Sequence, residues 1–517
     1  MPNEGLHLLD YVVVSFYLAV IVCIGIYTSR KQTSTEAYFA GGRSIPAWAV
    51  GLSLLATLIS SVTFLAYPGQ GFSGNWILLV QGLMVPVVLL IIIWFIVPMY
   101  RQIIGISAYE YFEKRFGYFA RLYSSLAFVI AHFTKMGSVF YLLALALASM
   151  TGINTYHLIL VLGIITIIYT LIGGIEAVIW SDVVQGIILV GGGLICAGVL
   201  LLRPQLGPAA IIKTAWENGK MSMGPYDWNF TRLTFWVMAI NGIFYAIQKY
   251  GTDQTIVQRF LVAKSNSKAI KAALMGALLC VPVWTLFIFI GTLLWNFYNN
   301  AGFKLPEGVT GDKVFPYFIM SQFPVGVTGL ILAALISAAM SSLDSDLNCL
   351  AAVGVEDYYR RFRKNATDRQ CLNMGKIIVT ISGLCAVGFA CLYVHLGGEA
   401  ILGTIFALYA IFSGGIAGMF ALGFLTVRTN RKGIYVGIAV CVLFTAYALL
   451  TSTKFDLGGP EKQQLLNLGR FNFTHHKYML GVYSHIVLFV VGYLASLFFR
   501  ADKDTKELTL YGWLTKR

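Results

Sequence analysis

Hydrophobic residues run through this chain in long stretches, and polar residues collect in the short gaps between them. Runs close to the ~20 residues that carry a helix across a bilayer fall at 8–28, 45–68, 76–99, 120–150, 156–173, 177–202, 233–258, 268–297, 315–356, 374–395, 400–426, 433–451 and 478–499. The pattern predicts an all-α polytopic membrane protein with about thirteen transmembrane helices embedded in the lipid bilayer. The longer gaps, 203–232, 298–314 and 452–477, are too short for a soluble domain. The first run exceeds a signal-peptide core and has no basic residues ahead of it, so it is expected to remain as a helix.

Basic residues crowd alternate gaps. One gap holds Arg30, Lys31 and Arg43; the next of the same parity holds Arg101, Lys114, Arg115 and Arg121. Arg259, Lys264, Lys268 and Lys271 follow, then Arg360, Arg361, Arg363 and Lys364, then Arg428, Arg431 and Lys432, and finally the C-terminal cluster. The positive-inside rule then places the N-terminus outside and the C-terminus inside. Two lysines, Lys135 and Lys249, fall within apolar runs instead. The triplets Asn229-Phe-Thr231 and Asn472-Phe-Thr474 lie in predicted outer gaps, as glycosylation acceptors would.

One apolar stretch departs from the rest. After Val325–Ile336 the chain reads AAMSSLDSDLN, Ala338–Asn348. Ser341, Ser342 and Ser345 share a helix face, with Asp344 close to it. Hydroxyl and carboxylate oxygens suit a hard cation such as sodium. The alternative is that the serines allow close helix packing and bond back to i−4 carbonyls. That reading leaves the aspartates unexplained, since an intramembrane carboxylate is costly and signals function. Depth gives a second argument. Ser341 lies ~24 Å from one face and Asp182, on a run of opposite direction, ~10 Å from the other. In a core of ~30 Å the two meet at nearly one level.

Composition narrows the function. The 517 residues are 58% hydrophobic and 12% charged, with mean hydropathy +0.75, which excludes a soluble protein. The net charge of +14 invites a nucleic-acid partner, but the bases sit between apolar runs where membrane topology explains them, so none is expected. The eight cysteines are scattered without a CxxC pair and read as small buried hydrophobes.

Five segments in order, GGRSIPAWAVGLSLLATLISSVTF (41–64), SAYEYFEKRF (107–116), IIYTLIGGIEAVIWSDVVQG (167–186), YGTDQTIVQRFLVAKS (250–265) and SAAMSSLDSDLNCL (337–350), resemble the sodium/solute symporter family. That family includes bacterial sialic acid and proline symporters and animal glucose, iodide and vitamin carriers. The resemblance spans residues 10–430 and implies a LeuT-type fold, in which five helices repeat with inverted topology around a midplane site. The whole chain, 1–517, would be one transporter domain: an extra first helix at 8–28, repeats at 45–202 and 233–426, and added helices over 433–499.

The resemblance implies a first sodium held by the carbonyls of Ala56, Ile59 and Ala338 and the hydroxyls of Ser341 and Ser342. Those carbonyls are free only if the helix unwinds near Ser60-Ser61, which irregular backbone can do where it lines a wet cavity. A second sodium, present in some members, would use Asp182, Ser341 and Ser345. Position 344 is serine in the sialic acid branch and Asp344 here, so this site is strengthened, carries a proton, or is replaced by a structural bond. Ser60, Ser61 and Thr63 match substrate-binding positions of that branch, where an arginine at 135 clamps the solute carboxylate. Lys135 stands there, in HFTKMG, and a lysine is a point charge rather than a fork. It either meets the solute or neutralises a buried carboxylate. Gln81, Gln248 and Lys249 complete the candidate solute site, although Lys249 and Asp253 form an i,i+4 pair that satisfies itself. His132 reads as a satisfied core group, and Glu176 as a capping or exposed residue of a turn.

The expectation is therefore a cell-membrane protein, not an enzyme, that imports a small polar organic solute (a sugar, sialic acid or other organic acid) with sodium by alternating access. It would act as a monomer. The alternative is a membrane sensor that binds solute without transport.

Overall fold

The structure is a computed structural model and describes residues 6–395, 414–455, 463–500, 502 and 506–515. Helices dominate it; the β-structure among the described residues is a two-residue antiparallel pair, Lys454–Phe455 with Gln463–Gln464, and an isolated parallel bridge between Ile45 and Ala263. Nine described helices are long and apolar enough to cross a membrane, or ten if one bent pair is a single span.

In chain order the main helices are α1 Leu8–Ser29, α2 Ala47–Leu58, α3 Ser61–Ser73, α4 Leu79–Ile103, α5 Tyr118–Thr151, α6 Thr155–Leu202, α7 Phe235–Thr252 and α8 Gln254–Val262. They continue as α9 Asn266–Asn299, α10 Val327–Val353, α11 Asp368–His395, α12 Ile416–Leu425, α13 Arg431–Ser452 and α14 Lys477–Leu497. Most predicted runs map onto one helix each, because length and apolarity are local properties. The differences arise where the backbone breaks. Run 45–68 divides at Ile59 and Ser60, both extended, and α2 and α3 meet at 58°. Run 233–258 divides at Asp253, whose backbone is extended and whose side chain caps α8 by accepting from Thr255 N. Runs 156–173 and 177–202 join into one helical path bent at Gly174 (φ 57°, ψ −156°), a conformation that glycine adopts without steric cost. Run 315–356 divides after Gln322. Of run 400–426, the part up to residue 413 lies outside the described residues.

At the centre stands α10. Every residue from Ile331 to Val353 is buried, polar ones included. A helix enclosed on all sides must satisfy its polar groups internally, so its serines and aspartates require partners from neighbouring helices. Its N-terminus is held by α1: Asp10 Oδ1 accepts from Gly326 N (2.7 Å) and Gly329 N (2.8 Å), two amides left unpaired by helix geometry.

The two ends of the bundle differ. At the end away from the basic clusters, α3 packs directly on α9. A Cβ on Gly71 would stand 2.2 Å from Ile288 O, and one on Gly291 2.2 Å from Pro68 O, so only glycine permits this approach. Phe64 is fully buried there against Phe287 and Phe315, and Trp76 Nε1 donates to Thr292 Oγ1 at 2.9 Å. At the basic end, Arg121 pairs with Asp357 (2.5 Å) and Glu113 (2.6 Å), tying α5 to the segment after α10.

Candidate ion and solute sites

The break between α2 and α3 leaves the last carbonyls of α2 without helical partners. Two serines of α10 turn towards them. Ser341 Oγ lies 3.0 Å from Ala56 O and 3.4 Å from Ala338 O, and Ser342 Oγ lies 3.4 Å from Thr57 O. All of these residues except Thr57 come from the predicted first ion set, and Ile59 is the extended residue of the break itself. The unwinding expected at Ser60-Ser61 thus occurs one residue earlier, at Ile59-Ser60. Three carbonyls and two hydroxyls converge there without a charged group, a donor set suited to a hard monovalent cation.

Deeper along the same face of α10 lies a fully buried charged cluster. Asp182 Oδ2 accepts from Ser53 Oγ (2.5 Å) and from Arg259 Nη2 (2.9 Å). The same Nη2 donates to Ser345 Oγ (2.7 Å), while Arg259 Nε donates to Ser53 Oγ (2.8 Å) and Nη1 to Thr255 O (2.6 Å). Asp344 Oδ2 accepts from Tyr169 Oη (2.6 Å) and Ser181 Oγ (3.3 Å). α6 and α10 meet here, Ser181 directly at Asp344 and Asp182 through Arg259. Arg259, counted above among the basic residues of a gap, is instead wholly buried. One turn of α8 carries it inward because the break at Asp253 redirects the chain. Asp182 pairs with this guanidinium, whereas Asp344 is held by hydroxyls.

Beside the first ion set a cavity of about 420 Å³ runs towards the basic end, within the range of small-molecule sites (~300–1,000 Å³). Ser60, Thr57 and Ser342 form its inner wall, so ion and solute would share a surface. Lys135, Gln248, Lys249, Thr252 and Asp253 add polar groups; Tyr109, Phe128 and Tyr245 add aromatic ones. Lys135 lies halfway along α5 yet keeps 32% of its side chain exposed, so solvent reaches the middle of the bundle. Its Nζ lies 3.0 Å from Asp346 Oδ2, and Lys249 Nζ lies 2.6 Å from Asp253 Oδ2. The structure thus gives Lys135 the buried carboxylate partner that one reading required, while leaving it in the cavity wall.

Of the candidate solute residues, Ser60, Lys135, Gln248 and Lys249 come together. Ser61 and Thr63 are buried beyond the break, and Gln81 is half-buried; these three are absent from the cavity lining. Glu176 pairs with Lys31 at 2.7 Å. Asp253, Asp346, Ser53, Tyr169 and Arg259 were not among the candidates. An intramembrane carboxylate at 346 was a sufficient signal for one of them.

The sodium:solute symporter family profile matches residues 38–440. The sodium/sialic acid symporter NanT of Aliivibrio fischeri is 31% identical over 98% of this chain and 97% of its own length. The chain belongs to the sodium:solute symporter family. The sodium/glucose cotransporter of Vibrio parahaemolyticus is 30% identical over 86% of both chains. A Na+-coupled sialic acid symporter solved in a substrate-bound, outward-open state superposes with a TM-score of 0.87, at 29% identity over 96% of this chain and 99% of that one. The fold is accordingly LeuT-type. The protein is a multi-pass cell-membrane transporter that moves a small organic solute together with sodium; it is not an enzyme.

Within this symporter, Lys135→Ala discriminates between a solute contact and a structural ion pair. If Lys135 meets the solute, the variant loses at least tenfold in solute affinity with sodium affinity nearly unchanged, read from uptake at varied solute and sodium. A fall in melting temperature with solute binding intact would assign Lys135 to structure alone.

Proposed function

We propose that the symporter imports a small polar solute through the cavity beside Ser60, with sodium bound at Ala56, Ile59, Ala338, Ser341 and Ser342. The observation that carries this reading is the shared wall. Ser342 belongs to the ion set and to the cavity lining, so occupancy of one bears on the geometry of the other. The broken helices α2/α3 and α7/α8 occupy corresponding places in residues 45–202 and 233–426, which supports the two inverted repeats; discontinuous helices at a midplane site are the signature of such folds. About thirteen spans follow from the apolar runs, and an outer N-terminus and an inner C-terminus from the basic gaps. On that orientation the cavity faces inward, opposite to the outward-open relative, as alternating access requires. The protein works as a monomer.

A second cation is favoured by charge counting. Asp182 pairs with Arg259, whereas Asp344 accepts from the hydroxyls of Tyr169, Ser181 and Ser345 and has no ion-pair partner among the described residues, which leaves one negative charge unanswered in a buried setting. Asp182, Ser341, Asp344 and Ser345 would hold a second sodium, or Asp344 a proton, after Arg259 shifts from Ser345. Coupling one sodium to 100 mV supplies ~2.3 kcal/mol, and a tenfold gradient adds ~1.4, together about 500-fold accumulation of a neutral solute. A second ion squares that ratio. Uptake into proteoliposomes against a solute gradient tests both statements. Sodium-driven accumulation is expected, whereas the sensor alternative gives binding without accumulation. The reversal potential should report two charges per solute in the wild type and one in Asp182→Asn; a one-sodium ratio in both sinks the second site, and a pH-dependent ratio assigns it to a proton on Asp344.

A further inference from the structure

Two ammonium groups line the cavity, and each is already answered by a carboxylate. Lys135 Nζ lies 3.1 Å from Asp346 Oδ1 and 3.0 Å from Oδ2. Lys249 Nζ lies 2.6 Å from Asp253 Oδ2. His132 stands between the two pairs. Its Nδ1 lies 2.9 Å from Phe128 O; a carbonyl only accepts, so Nδ1 carries a proton. Its Nε2 faces Asp346 Oδ1 at 3.5 Å and Asp253 Oδ2 at 3.8 Å, and the ring is buried. A proton gained at Nε2 would point at those carboxylates and away from a guest. Arg259 is buried on Asp182. No other Lys or Arg lines the cavity among the described residues, and residues 396–413, which precede the lining residue Ile416, contain no Lys, Arg or His.

Asp346 is fully buried. A carboxylate solute that captured Lys135 would strip this aspartate of its ammonium partner and leave a desolvated negative charge, which is strongly unfavourable. What the cavity offers without that cost is neutral. Ser60, Ser342 and Thr252 bring hydroxyls, Gln248 an amide, and Tyr109 and Tyr245 phenolic rings; the Thr57 hydroxyl is turned to Ser53 O and Ser345 Oγ. Hydroxyls and amides both donate and accept, and so match the hydroxyls of an uncharged guest.

We infer that Asp346 is a positioning residue that sets the charge class of the solute: by holding Lys135 it leaves the cavity without a free cation, and the solute carried is an uncharged polyhydroxylated one, a monosaccharide or polyol, not a carboxylate. This rests on the reading of the cavity as the solute site. Asp346 acts through Lys135 and does not itself line the cavity.

The test uses the full chain in proteoliposomes with an inward sodium gradient at about pH 8, above the ordinary imidazole range of ~6.5. Matched solutes differ by one CH2OH replaced with a carboxylate: glucose with glucuronate, galactose with galacturonate, sorbitol with gluconate; N-acetylneuraminate is added as a further acid. Sodium-dependent accumulation is expected for at least one uncharged member and for no acid, and a hundredfold excess of each acid should fail to compete. In Asp346→Asn, the half-inhibitory concentration of an acid should fall at least tenfold, with a smaller change for the neutral solute. A structural role would shift both alike. Accumulation of an acid by the wild type, or of neither set, overturns the inference, as does an equal shift of both sets in the variant. The wild-type comparison stands whether or not the variant folds. Ala131→Trp, which fills the cavity, separates the two levels. Uptake that survives it removes the site reading and the inference with it. Uptake that it abolishes, when the solute proves to be an acid, removes the inference alone.

Discussion

Ser342→Ala is expected to raise the sodium concentration for half-maximal uptake roughly ten- to hundredfold, with the protein still inserted and folded. A hydrogen-bonding group lost from a charged partner costs ~1.5–3 kcal/mol, and each ~1.4 kcal/mol is tenfold in affinity. Ser342 Oγ faces the unpaired end of α2, 3.4 Å from Thr57 O, and has no covalent or ionic role that alanine would disturb. Ser341→Ala should act in the same direction. Its Oγ contacts both Ala56 O and Ala338 O, so it joins the α2 and α10 parts of the ion set. Solute affinity measured at saturating sodium should change little in Ser341→Ala, which lies behind the cavity wall, and somewhat more in Ser342→Ala, which lines it. Sodium activation that is identical in wild type and both variants would sink the assignment.

Arg259→Met carries the other large expectation, a loss of about 3–5 kcal/mol in stability, the usual consequence of removing one partner from a buried ion pair. The guanidinium joins Asp182, Ser53, Ser345 and Thr255, so its removal strands one carboxylate and three further acceptors in a dry interior. The double variant Arg259→Met with Asp182→Asn should recover much of the loss, because it removes the stranded charge as well. Partners in one network are not additive, and the double variant should therefore be more stable than the sum of the single losses. Thermal unfolding of the purified protein in detergent measures both. An unchanged melting temperature in Arg259→Met would mean that the cluster is hydrated and not the desolvated pair described here.

The main outline of the fold was legible in the chain, and for a simple reason. Spanning a bilayer demands length and apolarity, both local properties, so the runs at 8–28, 76–99 and 433–451 correspond closely to Leu8–Ser29, Leu79–Ile103 and Arg431–Ser452. The hydroxyl face of Ala338–Asn348 was equally legible, since helical spacing alone places Ser341, Ser342 and Ser345 together. Backbone breaks were legible only in part. The break at Ile59-Ser60 was expected from the family resemblance, with weak support from poor helix formers. The one at Asp253 was read as an intact i,i+4 pair. That pair exists, at 2.6 Å, but it spans the end of a helix.

The sequence by itself thus determined that this is a helical membrane protein, where most of its spans lie and which helix face gathers the hydroxyl oxygens, because these depend on neighbours a few residues apart. Only the tertiary structure decided what each buried charge answers. Lys135 and Asp346 are separated by 211 positions, and Arg259 and Asp182 by 77. Counting basic residues by gap placed Arg259 near the membrane surface, whereas a turn of α8 carries it into the core. Hydropathy cannot make that distinction, since a buried arginine and an exposed one have the same composition. The desolvation cost of a charge is set by the partner across the bundle, and that partner is fixed by packing.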